Sequence, residues 1–191
     1  MKKVMMALLL VVAFTSPVVS TEKKVEVPGL PFGSSTKAVD SFATKLGFSK
    51  RNITSTGIVS YDAGQWATYH FSFVVFGSCQ PVGMHTLKVF IPVDSSNYQQ
   101  KYDELVSLYR TKYGEPSNEF RFFKSPYKDG DGYEYQAVRV GKGSISTYWE
   151  DENANNLGIA VDDGGIDLPY QDSKRFSVCK EQSRNQSLNN I

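Results

Sequence analysis

Two cysteines, two histidines and two tryptophans are all that the 191 residues hold of the side chains that most often mark metal centres and reactive thiols. The histidines, His70 and His85, share no HExxH spacing, so a zinc protease site is excluded. No GxSxG elbow, GxGxxG, Walker loop or CxxC occurs. The chain therefore lacks the marks of an α/β-hydrolase nucleophile, a dinucleotide site, a phosphate loop and a redox dithiol. Charge of one sign is missing too: the formal net charge is +1, with no basic run to hold nucleic acid or anionic lipid. Nor is there a long hydrophobic run. Val4 to Phe14 spans 11 residues, and a membrane-spanning helix needs about 20.

That short run has a purpose of its own. Lys2 and Lys3 precede it and small or compact residues at Val18 and Ser20 follow, the layout of a signal peptide. Cleavage is expected after Ser20, which gives a secreted or periplasmic chain with no cysteine at its new terminus for a lipid anchor. Losing two lysines and no acid takes the formal charge from +1 to −1. Residues 21–178 then read as one domain, long enough to bury a core, and 179–191 as a polar tail expected to fray.

Hydrophobic periodicity predicts the elements. In SSTKAVDSFATKLGF, Val39, Phe42, Ala43 and Leu46 recur at helical spacing, Ser34 or Ser35 caps the start, and Gly47 ends it. WATYHFSFVVF and MHTLKVFIP alternate as two strands of a hairpin around FGSCQPVG, with Phe73 and Val75, and Leu87, Val89 and Ile91, expected inward. SSNYQQKYDELVSLYRTKYGEP is a second helix, with a Ser96–Gln99 capping box and Gly114 at its end. EFRFFK, YEYQAVRV, SISTYWE and LGIAVDD read as four strands, and IDLPYQDSKRFSVC as an added edge strand. The expected fold is α+β: two helices on one face of a mostly antiparallel sheet, in the order helix, about three strands, helix, about four strands.

Each candidate for chemistry meets a plainer reading. Cys79 and His85 form a nucleophile and base on paper, but no helix N-terminus or family signature surrounds the cysteine. Its other partner is Cys179, and two cysteines in an exported chain pair in an oxidising compartment. Asp129 and Asp131 open a calcium-loop pattern that fails at Tyr133, Glu134 and Val140, leaving turn chemistry. Glu150, Asp151 and Glu152, like Asp162 and Asp163, read as solvated hairpin tips. What remains is an excess of aromatics on strands. Trp66, His70, Tyr148 and Trp149 are the expected contact residues of a sheet face left open by the helices.

VPGLPFGSSTKAVDSFATKLGF, LVSLYRTKYGEP and IDLPYQD together resemble small exported bacterial proteins of unknown function, which carry an FG-S/T helix entry, a helix ending in KYGxP and a late apolar-x-Y-x-D strand. The resemblance spans most of residues 27–172 and implies an exported single domain. GSSTKAVDSFATKLG is also similar to the first helix of tandem helix-plus-meander folds, such as the β-lactamase-inhibitor protein and outer-membrane assembly lipoproteins. The expectation is a non-enzymatic binding protein with an unknown protein or glycan partner and no cofactor or metal. Two alternatives stand beside it: an inhibitor presenting loop 77–83, or a hydrolase without a motif.

Overall fold

A computed structural model describes residues 24–54, 58–62, 64–66, 69–70 and 73–188, with backbone alone at 53, 65, 66, 69, 70 and 73. The predicted leader, residues 1–20, lies outside them. Helix α1 (Thr36–Lys45) begins as its sequence directs: Ser35 Oγ accepts the Ala38 N–H at 3.3 Å. It stops at Gly47, whose φ of +76° is strained for any residue with a Cβ. There the Phe48 N–H donates back to Ala43 O at 2.9 Å while the Phe48 ring is buried against the helix end.

From α1 the chain runs through β1 (Ser49–Ile53), β2 (Ile58–Asp62), the short pair β3 (Gln65–Trp66) and β4 (Tyr69–His70), then β5 (Phe73–Cys79) and β6 (Gly83–Pro92). Helix α2 (Tyr98–Tyr113) opens the second half. It leads into β7 (Asn118–Phe123), α3 (Glu134–Arg139), β8 (Gly143–Glu150), β9 (Asn155–Asp162), β10 (Gly165–Asp172) and α4 (Ser173–Leu188). One 8-stranded antiparallel sheet results, ordered β1-β2-β5-β6-β10-β9-β8-β7, and β3 and β4 pair apart from it. The order is symmetrical: each half is a helix followed by a meander, and the last strands of the halves, β6 and β10, meet at the centre. Their register places Leu87, Val89 and Ile91 opposite Tyr170, Leu168 and Ile166, so all six side chains share one face.

That inner face is the core. Leu157, Ile159, Val161, Ile145 and Trp149 continue it across β9 and β8. Helix α1 lies over β2, where Asp40 accepts a short hydrogen bond from the Tyr61 hydroxyl. Helix α2 lies over β8 to β10: Tyr102 Oη meets Thr147 Oγ1 at 2.6 Å, and the Tyr109 and Tyr170 hydroxyls bond at 2.7 Å. Helices packed on an antiparallel sheet is thus the architecture, as periodicity predicts, with four helices among the described residues where two were expected.

Several elements differ from expectation. The segment 66–76 is not one strand; the chain turns through β3 and β4 first, and Ala67 and Phe71 lie outside the described residues. In β5 the inward residues are Val74 and Phe76, opposite Val89 and Leu87, whereas Val75 takes the outer face; the side chain of Phe73 lies outside the described residues. FVVF is apolar on both faces, so only its neighbour's register can choose. YEYQAVRV forms α3 in place of a strand. Asp131 accepts the Lys128 and Tyr133 N–H groups, and Glu134 accepts the Gly130 N–H, so the preceding turn is wound for a helix. Helix α2 has Asn97 at its N-cap and no side-chain cap bond, so the expected Ser96–Gln99 box does not form. IDLPYQD is a central strand. Its Pro169, which cannot donate to a ladder, falls where the β10–β9 pairing is interrupted, while the β10–β6 register runs unbroken. The supposed tail is helical to Leu188.

Candidate functional site

The face opposite the core is built by the same alternation. Reading across the sheet, one row is Phe90, Asp167, Ala160, Ser146 and Phe120; the next is Lys88, Pro169, Gly158, Tyr148 and Asn118. Gly158 is essential to the second row: a Cβ there would come within 2.7 Å of the Tyr148 ring and 3.0 Å of the Pro169 ring. The tyrosine therefore lies flat across the glycine towards proline, and the Phe120 ring meets it edge-on at 6.0 Å. Phe120 and Phe122 are 47% and 51% exposed. Together with Tyr148 they form an aromatic strip at the β7 side of the outer face.

Trp149 does not belong to that strip. Adjacent strand residues face opposite ways, and Trp149 turns inward: it is 2% exposed, and its Nε1–H donates to Gly114 O at 2.9 Å. Its expected contact role is corrected to one of packing under the end of α2, beside the Tyr109 ring at 5.9 Å. Trp66 and His70 occupy the β3–β4 hairpin, where Trp66 pairs with Tyr69 and His70 with Gln65; their side chains lie outside the described residues. β4 packs against β6, the strand that carries Lys88.

Cys79 and Cys179 are joined, with a Cα–Cα distance of 5.8 Å. The thiol that a Cys79–His85 dyad would need is consumed. His85 is re-aimed by a bulge. Gly77 pairs with Thr86 and Ser78 with Met84, so the extra residue slips parity, and Met84, fully buried, takes the inward position that alternation assigns to His85. The imidazole instead packs edge-on to Phe176 of α4 at 5.4 Å and bonds Thr86 Oγ1 through Nδ1 at 2.8 Å. Burial holds its pKa below the ordinary value, against the pull of the Asp172 carboxylate. Helix α4 thus closes the end of the outer face, tied there by the disulfide and by Asn156 Nδ2 donating to Ser173 Oγ at 2.5 Å. The 77–83 loop shrinks to the turn Gln80–Val82, with two exposed side chains, Gln80 and Pro81. Behind it the Gly33 N–H donates to Met84 O and the Met84 N–H to Ser34 O.

The acids sort as follows. Asp129 accepts from Arg121 at 2.5 Å and Asp163 from Arg139 at 2.7 Å. Asp151, expected at a solvated tip, accepts the N–H groups of Val25, Asn153 and Asn155 and so pins the N-terminal segment. The exception is a group that sequence reasoning missed. Asp167, 6% exposed on the outer face, takes Lys88 Nζ on Oδ2 at 2.5 Å, while the same ammonium lies 3.9 Å from Asp162. Asp167 Oδ1 is buried with no hydrogen-bond partner among the described residues. Burial, with the Asp162 carboxylate added, pushes the Asp167 carboxyl up to about 6, although Lys88 opposes the shift. Burial acts on Asp162 as well, but the neighbouring Asp167 carboxyl, the Asp163 N–H and Lys88 carry it below the usual range. Below about pH 6 the pair therefore keeps one proton, on Asp167. An acid at outward parity in IDLPYQD is the signal that could have revealed it.

On the helix side, a cleft of about 420 Å³ opens between α2 and β7. Its polar groups bond one another, with Arg110 on Glu119 at 2.6 Å and Arg121 on the Gln99 amide oxygen at 3.3 Å. Among the described residues no helix is long and apolar enough to cross a membrane. The site defines a class no narrower than a disulfide-clasped α+β protein with an aromatic outer sheet face. Compared with family models, curated proteins and solved structures, the chain matches none.

Proposed function

We propose that this chain is an exported binding protein, not an enzyme, and that it seats a protein partner on the outer face of its sheet. The observation that carries the reading is the strip of Tyr148, Phe120 and Phe122, large aromatic surface held on rigid strands and left uncovered by either helix layer. A protein surface suits it better than a glycan, because the two phenylalanines have no hydrogen-bonding groups for sugar hydroxyls. Export is supported by the disulfide, which persists in oxidising compartments.

The test is capture by the immobilised, oxidised protein from the extracytoplasmic fraction of its producer, followed by titration of the captured partner. Phe120→Ala, Phe122→Ala and Tyr148→Ala combined are expected to weaken that partner's affinity at least about tenfold. Equal binding by the triple variant would remove the strip from the proposal. Capture of a glycan would replace the partner class, and turnover of a bound molecule would replace the reading itself.

A further inference from the structure

The two edges of the sheet are built differently. β1 has a register shift between Lys50 and Asn52 and sets Lys50 beside Arg51, so a bulge and adjacent charge guard that edge against another strand. β7 has no such guard: Asn118 to Phe123 run in unbroken register with β8, and among the described residues no strand lies beyond them. One bond fixes the phase of the ladder. The Lys124 N–H donates to Lys142 O at 2.7 Å, one step past the Phe123–Gly143 pair. Alternation then turns the backbone groups of Asn118, Phe120 and Phe122 to β8, and presents those of Glu119, Arg121 and Phe123 at the free edge.

We propose that this edge is occupied by a second copy of the chain, with β7 of two protomers paired antiparallel about a two-fold axis at Phe120. The register follows from charge. Edge-facing residues must pair with edge-facing residues, so the axis falls on a residue, and of Glu119, Phe120, Arg121 and Phe122 only Phe120 brings Glu119 and Arg121 together. On Glu119 or Arg121 it sets like charges face to face. On Phe120 it sets Glu119, held by Arg110 of its own chain at 2.6 Å, opposite the partner's Arg121, held by Asp129 of its own chain at 2.5 Å, so that each seam pair extends an existing ion pair, twice, and it lays the two Phe120 side chains together on the outer face. The aromatic strip then runs unbroken from Tyr148 of one protomer to Tyr148 of the other. This goes beyond the binding reading, since it concerns the strand's rim, and a monomer that still binds its partner through the face would overturn only the pairing.

Sedimentation equilibrium of the oxidised chain from ~1 to ~100 µM is expected to show monomer passing to dimer, the range suited to an interface this small. Glu119→Arg or Arg121→Glu alone should hold the chain monomeric throughout. The double exchange E119R/R121E should restore the dimer, which a general loss of charge or fold would not do. Hydrogen exchange on the unaltered chain gives an independent reading. The Glu119 and Arg121 amides should gain protection with concentration, while those of Phe120 and Phe122 are protected at every concentration. A chain monomeric at ~100 µM, or a dimer indifferent to single charge reversal, would overturn the proposal.

Discussion

Serine at both positions 79 and 179 is expected to lower the unfolding free energy by about 4–5 kcal/mol, because the bridge closes a loop with a sequence separation of 100 residues. The loss of that constraint falls on the unfolded chain, whose ends gain freedom. It falls on the folded chain as well, through α4. Cys179 is the one buried residue of that helix, and the ring of Phe176, the Ser173 hydroxyl and the Ser173 N–H, which donates to Ala154 O at 3.2 Å, are among its other attachments. Denaturant titration of the double variant against the oxidised parent measures the first effect. Hydrogen exchange of residues 180–188 reads the second, and should show amides losing protection well before the sheet opens. Reducing the parent protein should reproduce both results. An unfolding free energy unchanged within about 0.5 kcal/mol would show that α4 and the hairpin end hold together without the bridge.

The legible parts of this fold are those fixed by neighbours in the chain. Ser35, Gly47 and Phe48 delimit α1 through contacts spanning a few residues, and α2 announces itself by its stripe of Tyr102, Leu105, Val106 and Tyr109. What could not be read depends on partners far away in sequence. The sequence of β10 looks like an edge because it contains Asp167 and Pro169, yet it is central because β6 and β9 flank it from different halves of the chain. The bulge at Gly77 and Ser78 is equally silent, and it exchanges Met84 for His85 in the core. Helix α4 has no continuous apolar stripe to detect; a covalent bond holds it. Of the expected contact residues, Tyr148 and Trp149 were separable from sequence, since neighbours on a strand cannot both face out. Phe120 and Phe122 were hidden in a strand whose solvent face only the position of α2 decides.

Asp167→Asn is expected to stabilise the protein at neutral pH and to do nothing in acid. The folded-state carboxyl sits at about 6, against an ordinary value of 3.8, so between those values the folded chain keeps a proton that the unfolded chain has released. Its contribution is fully present below 3.8 and is lost as pH rises through 6, to a total of about 3 kcal/mol at 1.36 kcal/mol per unit. Asparagine imitates the protonated acid: its Nδ2 can donate to Asp162 and its Oδ1 can accept from Lys88. The difference in unfolding free energy between variant and parent should therefore grow from near zero at about pH 3.5 to about 3 kcal/mol at pH 7.5. Urea titrations at four or five pH values would follow it, and a difference constant across pH would refute the shared proton. The cause can be assigned separately. Asp162→Asn removes the neighbouring charge and should lower the Asp167 value, read by carboxyl-carbon NMR. Lys88→Met removes the ammonium that favours ionisation and should raise it. If burial alone governed Asp167, the first of these would leave it where it is.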